Sequence, residues 1–161
     1  MILSKKILFS AIALISVAFS ATSCSDDDKV AAFSVAGTYD GVFTEEKVGT
    51  LNDASVITAN EDGTYDILVA PAFTLGRAEY GAMTLRKVQL VETEEGYTFQ
   101  NEANGVKITY AGNETQRKYP SILEFAAHLD GTLSKSGKLD FTLDLNHANT
   151  VFFYYTFTGK K

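Results

Sequence analysis

The chain has no tryptophan, one cysteine (Cys24), two histidines and two prolines in 161 residues. One thiol excludes an internal disulfide, and one thiol with two imidazoles cannot build a thiolate or polyhistidine metal site, so neither metal nor cofactor is expected. The 14 basic residues face 20 acidic ones, for a net charge of -6, and nowhere form a cluster that would neutralise phosphates. Nucleic acid is therefore not an expected partner. Also missing are a Gly-x-Ser-x-Gly elbow, a His-Glu-x-x-His helix, a phosphate loop and a dinucleotide fingerprint. No catalytic residues are assigned, and the chain is expected not to be an enzyme. From Ser34 onward no stretch carries convincing helical periodicity.

Hydrophobic residues make up 45% and charged residues 21%, the balance of a globular chain with room for one packed domain. Residues 1–23 read as an address. Lys5 and Lys6 precede an apolar run from Ile7 to Phe19, which as a helix covers roughly 20 Å, short of the roughly 30 Å needed to cross a bilayer. That is a signal peptide, not an anchor. Ala21, Thr22 and Ser23 then lead into Cys24, a small-residue approach that resembles a bacterial lipobox, with Ala21 where leucine is usual. Lipidation of Cys24 is expected, and through it a membrane partner; the plainer alternative is a secretory signal followed by an incidental thiol. Ser25, Asp26, Asp27, Asp28 and Lys29 follow. This run resembles the surface-export tag of lipoproteins from Gram-negative gut anaerobes, which implies an outer-membrane lipoprotein displayed at the cell surface. The alternative is a plain solvated tether over residues 24–33, with the domain on the periplasmic face.

Period-two alternation runs through residues 34–161 and predicts an all-β domain. Its clearest strand is Lys138 to Asn146, where Leu139, Phe141, Leu143 and Leu145 alternate with polar residues. A matching row from Leu123 to Leu133 is joined to it by Ser134-Lys135-Ser136-Gly137. Two further hairpins are predicted. One pairs Ser55–Ala59 with Thr64–Ala70 across Asn60-Glu61-Asp62-Gly63, and the other pairs Met83–Glu92 with Tyr97–Asn101 across Thr93-Glu94-Glu95-Gly96. Val35 to Thr44, Val106 to Ala111 and Thr150 to Thr158 complete the strands. In the first, Val35, Gly37, Tyr39, Gly41 and Phe43 share a face, and glycines there permit bending or close approach. The last is apolar on both sides, so Phe152 and Tyr154 are expected to meet a covering loop or a partner. Arg77–Gly81 and Gly112–Pro120 read as loops. Short, sequential connections favour an antiparallel up-and-down barrel of eight or so strands over a sandwich.

Two groups of side chains carry candidate chemistry. Glu124, His128 and Asp130 alternate onto one strand face, where a solvated surface is the bland reading and proton transfer the sharp one; His147 falls in a predicted exposed turn. Tyr39, Tyr65, Tyr97, Phe99, Tyr110, Phe125, Phe153, Tyr155 and Phe157 are the candidate lining of a ligand cavity, with plain core filling as the alternative.

The stretch Val35-Ala36-Gly37-Thr38-Tyr39-Asp40-Gly41, the segment Met83-Thr84-Leu85-Arg86-Lys87-Val88, the hairpin from Asp130-Gly131-Thr132-Leu133 to Lys138-Leu139-Asp140-Phe141 and the ending Phe157-Thr158-Gly159-Lys160 together resemble the calycin-like, or lipocalin-like, β-barrel lipoproteins. Lipocalins carry a tryptophan in the first strand and an arginine over it. Here Tyr39 follows Gly37, and Lys160 and Lys161 stand near the end. The resemblance implies an eight-stranded antiparallel barrel binding a small hydrophobic or amphipathic ligand. The alternative is an accessory or adhesive module that contacts a protein or glycan through its surface and loops.

Overall fold

The structure, a computed structural model, describes residues 33–147 and 150–161, the side chains of Thr150 and Val151 excepted. The leader 1–23, Cys24 and the tether up to residue 32 lie outside the described residues.

Eleven strands and one short helix follow in chain order: β1 Gly37–Glu45, β2 Gly49–Ala59, β3 Tyr65–Ala70, β4 Phe73–Leu75, β5 Ala78–Tyr80, β6 Met83–Val88, β7 Val91–Glu92, β8 Gly96–Ala111, α1 Glu114–Lys118, β9 Ser121–Ser134, β10 Lys138–His147 and β11 Thr150–Lys160. All strands join one antiparallel sheet in the order β4-β5-β8-β9-β10-β11-β1-β2-β3-β6, with β7 also on β8. Eight of the strands are long. They follow one another up and down, and the last, β11, returns to pair with the first, β1, through Asp40↔Lys160 to Glu45↔Tyr155. The sheet thereby curls into a half-barrel. Its two ends approach at β6 and β8, but among the described residues no ladder joins them.

The predicted hairpins at Asn60–Gly63 and at Ser134–Gly137 form as antiparallel pairs, with Ala59↔Tyr65 and Leu139↔Leu133 next to the turns. Other boundaries differ. Tyr97–Asn101 and Val106–Ala111 are one strand, β8, because the uninterrupted β9 offers a partner along its whole length; the intervening Asn104-Gly105 is absorbed as a bulge, with Gly105 at φ +68°. Met83–Glu92 is instead split into β6 and β7. Lys87 adopts φ +58°, and its N–H is held by the Asp66 carboxylate at 3.0 Å. The segment read as a loop at Arg77–Gly81 contains β5, which pairs with β4 over Gly76-Arg77, Gly76 supplying φ +62°. Three-residue strands are too short to show a period. The Gly112–Pro120 loop carries α1, capped by the Asn113 side chain accepting from the Gln116 N–H at 2.9 Å.

Alternation decides which side chains fill the interior. Leu139, Phe141, Leu143 and Leu145 of β10 and Phe153, Tyr155 and Phe157 of β11 are buried, while their neighbours point outward. Glycines on the inward face give the large rings their space. A Cβ on Gly41 would stand 2.3 Å from the Thr158 carbonyl oxygen and 2.5 Å from Gly159 Cα, and one on Gly159 would stand 2.4 Å from the Phe157 ring. The facing pair Gly41↔Gly159 is thus the shelf under Phe157. Likewise Gly131 lies under Phe99, whose ring a Cβ would meet at 2.2 Å. Tyr39 ties the first strand to its approach: fully buried, it donates its hydroxyl to the Val35 carbonyl. Burial, and secondarily Tyr65 nearby, pushes its pKa up to about 12.

Two measurements test this packing. Gly41→Ala opposes backbone atoms and is expected to cost about 2–3 kcal/mol in urea unfolding, more than Gly131→Ala, which opposes a side chain; Phe99→Leu should recover much of the Gly131→Ala loss. Alkaline titration of unfolding reads the tyrosines. Below about pH 10 Tyr39 is neutral folded and unfolded; between there and about pH 12 the unfolded chain releases a proton that the folded one keeps, so stability falls as pH rises. Tyr39→Phe should shallow that slope.

Candidate ligand-binding site

The buried rings fall into two groups. In one, Phe157 stacks on Phe141 at 5.0 Å and tilts against Phe43 at 4.5 Å. In the other, Phe73 of β4 and Tyr80 of β5 lie parallel at 4.7 Å and 7° and press edge-on against Phe153, at 5.1 and 5.3 Å; Phe73 also meets Tyr155 at 5.9 Å. Phe152 and Phe125 extend this second group to His147.

Outside the Phe73–Tyr80 pair lies a pocket of about 430 Å³, lined by Ala72, Phe73, Thr74, Glu79, Tyr80, Gly81, Thr109, Ala111, Arg117 and Pro120. Its wall is the short β4–β5 hairpin. Two register pairs, Glu79↔Ala111 and Tyr80↔Tyr110, hold that hairpin to β8, with the Gly81 N–H donating to the Thr109 carbonyl at 2.9 Å. Arg117 of α1 completes the attachment, meeting Glu79 at 3.2 Å and the Arg77 carbonyl at 3.3 Å.

Three tyrosines run inward from this rim. Tyr110 is half-buried, 5.2 Å from the Tyr80 ring. Burial raises the pKa of Tyr80, with Tyr110 adding to it. Deepest is Tyr155, fully buried, its pKa raised first by burial and then by the Glu45 charge and Tyr80. Its hydroxyl finds no hydrogen-bond partner. Glu45 is itself buried, and one carboxylate oxygen accepts the N–H groups of Lys47 and Val48 at 2.6 and 2.8 Å. At neutral pH Tyr155 is a hydroxyl donor with no acceptor among the described residues.

The outer face holds a groove of about 830 Å³ across β8, β9, β10 and β11, lined by Thr98, Gln100, Asp130, Thr132, Asp140, Thr142, Thr156 and Thr158 together with Phe99, Gly131, Phe141 and Phe157, with Gln89 and Val91 at one wall. Beside it, His128 Nε2 lies 2.7 Å from Asp130 and Nδ1 3.6 Å from Glu102. Glu124 turns away to Lys107, at 3.5 Å. Thus His128 and Asp130 meet as the alternation predicted, without Glu124, and among the described residues no set of three ligating side chains gathers for a metal. His147 ends β10, exposed, its Nδ1 3.0 Å from the Glu124 carbonyl.

Of the predicted lining residues, Tyr39, Phe99, Phe125, Phe153, Tyr155 and Phe157 are buried in the interior, and Tyr65, Tyr97 and Tyr110 pack partly buried against it. Phe153, Tyr155 and Tyr110 gather around Phe73 and Tyr80, behind the hairpin pocket, which none of the predicted residues lines; Tyr39 is satisfied by Val35, and Phe99 lies over Gly131 at the other ring group's side. Phe152 is half-buried against Phe125 and Phe153, with the Lys47 ammonium 5.4 Å above its ring, whereas Tyr154 is exposed. Sequence reasoning missed Phe73, Tyr80, Glu45 and Arg117. Phe73 and Tyr80 carried a signal, being paired aromatics flanking Leu75-Gly76-Arg77-Ala78; the buried Glu45 carried none.

Residues 35–160 match the model of the calycin-like beta-barrel domain. No curated protein and no solved structure matches the chain. The match spans most of the chain and agrees with the antiparallel up-and-down sheet described above, and the chain belongs to the calycin-like β-barrel domain family.

Proposed function

We propose that this chain is a lipoprotein, anchored through Cys24 in the outer membrane and displayed at the cell surface, whose calycin-like domain binds a small hydrophobic or amphipathic molecule without turning it over. The observation that carries this reading is the hairpin pocket of about 430 Å³, whose Phe73 and Tyr80 rings lie on the interior rings of Phe153 and Tyr155. An apolar concavity with a few polar groups at its end is the usual form of a small-molecule site. The anchor rests on the sequence: a positive, apolar leader followed directly by Cys24.

A second reading is favoured by the outer groove, whose threonine hydroxyls, Asp130, Asp140 and the Gln100 amide offer hydrogen bonds suited to a glycan. On that reading the domain is an accessory or adhesive module.

Native mass spectrometry on the chain purified from its producing bacterium, after exposure to a membrane extract, separates the two. The expected result is a small-molecule adduct lost on unfolding; an adduct-free mass together with glycan-array binding abolished by Thr132→Ala and Thr156→Ala would overturn the binding-barrel reading. The intact mass of the same sample should carry diacylglycerol at Cys24 and lose it in Cys24→Ala.

A further inference from the structure

Buried donors in folded proteins almost always have acceptors, and one without costs the chain stability. The Tyr155 hydroxyl is such a donor: its residue is fully buried, and the described protein offers it no partner. Against the Tyr155 ring, at 5.9 Å, lies Phe73, which stacks on Tyr80; both rings are borne on a hairpin of three-residue strands and line the pocket. That hairpin is flanked by Pro71-Ala72 and Gly81-Ala82 and fastened to β8 over two residue pairs and one further backbone bond. Apart from the packing of its two rings, its remaining hold is Arg117, which donates to the Arg77 carbonyl and pairs with Glu79; both members of the ion pair are substantially exposed, so the pair contributes little. The rings belong to a hairpin joined to the rest of the sheet over a short stretch, and they lie against the residue that carries the one unpartnered buried donor among the described residues.

Deepening the binding reading above and resting on it, we infer that the β4–β5 hairpin is a movable plug over a site whose polar end is the Tyr155 hydroxyl, and that the occupant is a flat, neutral, apolar molecule bearing a hydrogen-bond acceptor such as a carbonyl. The flat body takes the place of the Phe73 and Tyr80 rings against Phe153, where aromatic faces and edges are already presented. The acceptor takes the hydrogen bond that the Tyr155 hydroxyl donates. Neutrality follows from Glu45. Glu45 is the cross-strand partner of Tyr155 and is buried with it, so an anionic headgroup brought there would meet a second acid at low dielectric. A fatty-acid carboxylate is therefore the wrong ligand for this end, although its tail would suit the rings.

Three matched probes isolate these features: 2-acetylnaphthalene, with a neutral acceptor; naphthalene, without one; and 2-naphthoate, with the charge. Titration of the chain as processed by its producing cell, by calorimetry, should give 2-acetylnaphthalene a Kd at least tenfold below both others. Tyr155→Phe should erase the preference over naphthalene without lowering the Tm of the free protein, since it deletes an unpartnered group; Arg117→Ala should raise the association rate while leaving the preference intact. Equal Kd values for 2-acetylnaphthalene and naphthalene, or a preference that survives Tyr155→Phe, would overturn the inference. If the three probes fail while a membrane-extract adduct persists in native mass spectrometry, the plugged site is wrong and the binding barrel stands. If neither probe nor extract component binds, both fall.

Discussion

The first and last strands of the domain meet where neither has a side chain. Gly41 faces Gly159, and the Phe157 ring spans the gap, backed by Phe141 and Phe43. Without this contact β1 and β11 would be two edges, and the long strands would form two separate ribbons, β6-β3-β2-β1 and β11-β10-β9-β8. A glycine pair permits the close approach, and a large ring restores the buried area that glycine forgoes. The second shelf, Gly131 beneath Phe99, repeats the device two strands away and keeps β8 and β9 within reach of β10. Curvature and packing are therefore set together, by alternating empty and oversized inward positions.

The same economy is absent where β6 approaches β8. There β6 ends soon after Lys87, whose left-handed backbone is held by Asp66, and β8 bulges at Gly105. Each irregularity removes ladder positions from the sheet ends that would otherwise join. What covers the remaining space is the β4–β5 hairpin on one stretch of β8 and β7 on another. The barrel is thus continuous through its eight long strands on one side and patched by short ones on the other, and the hairpin pocket lies on the patched side.

This division also sets what was legible in the sequence. The long strands announce themselves, because Leu139 to Leu145 or Phe153 to Phe157 bury every second residue and no other structure satisfies that spacing. Tight turns at Gly63 and Gly137 are equally plain, since both take positive φ. The hairpin Phe73–Tyr80 is not, because three residues contain a single alternation, and Asn104-Gly105 misleads because a bulge and a turn use the same residues. Most of the candidate aromatics were found by type alone. Their grouping was not, for which rings meet depends on the register between strands far apart in sequence. Glu45 lay beyond reach: a glutamate at a strand end next to Glu46 and Lys47 reads as solvated, and its burial follows from the turn whose N–H groups it accepts.

The buried polar groups show where folding and binding diverge. Tyr39 and Tyr155 are both tyrosines on inward strand positions, both fully buried, both held in the neutral form by their surroundings. Tyr39 donates a hydrogen bond to a carbonyl four residues away and needs nothing from outside. Tyr155, facing Glu45 across the β1–β11 ladder, is left without an acceptor among the described residues. If packing were all that mattered, phenylalanine would fill that position at lower cost, as it does at Phe153 and Phe157 on the same strand. A hydroxyl kept there against its own desolvation, behind a hairpin joined to the sheet by only two residue pairs, is explained by something that arrives to accept its hydrogen bond.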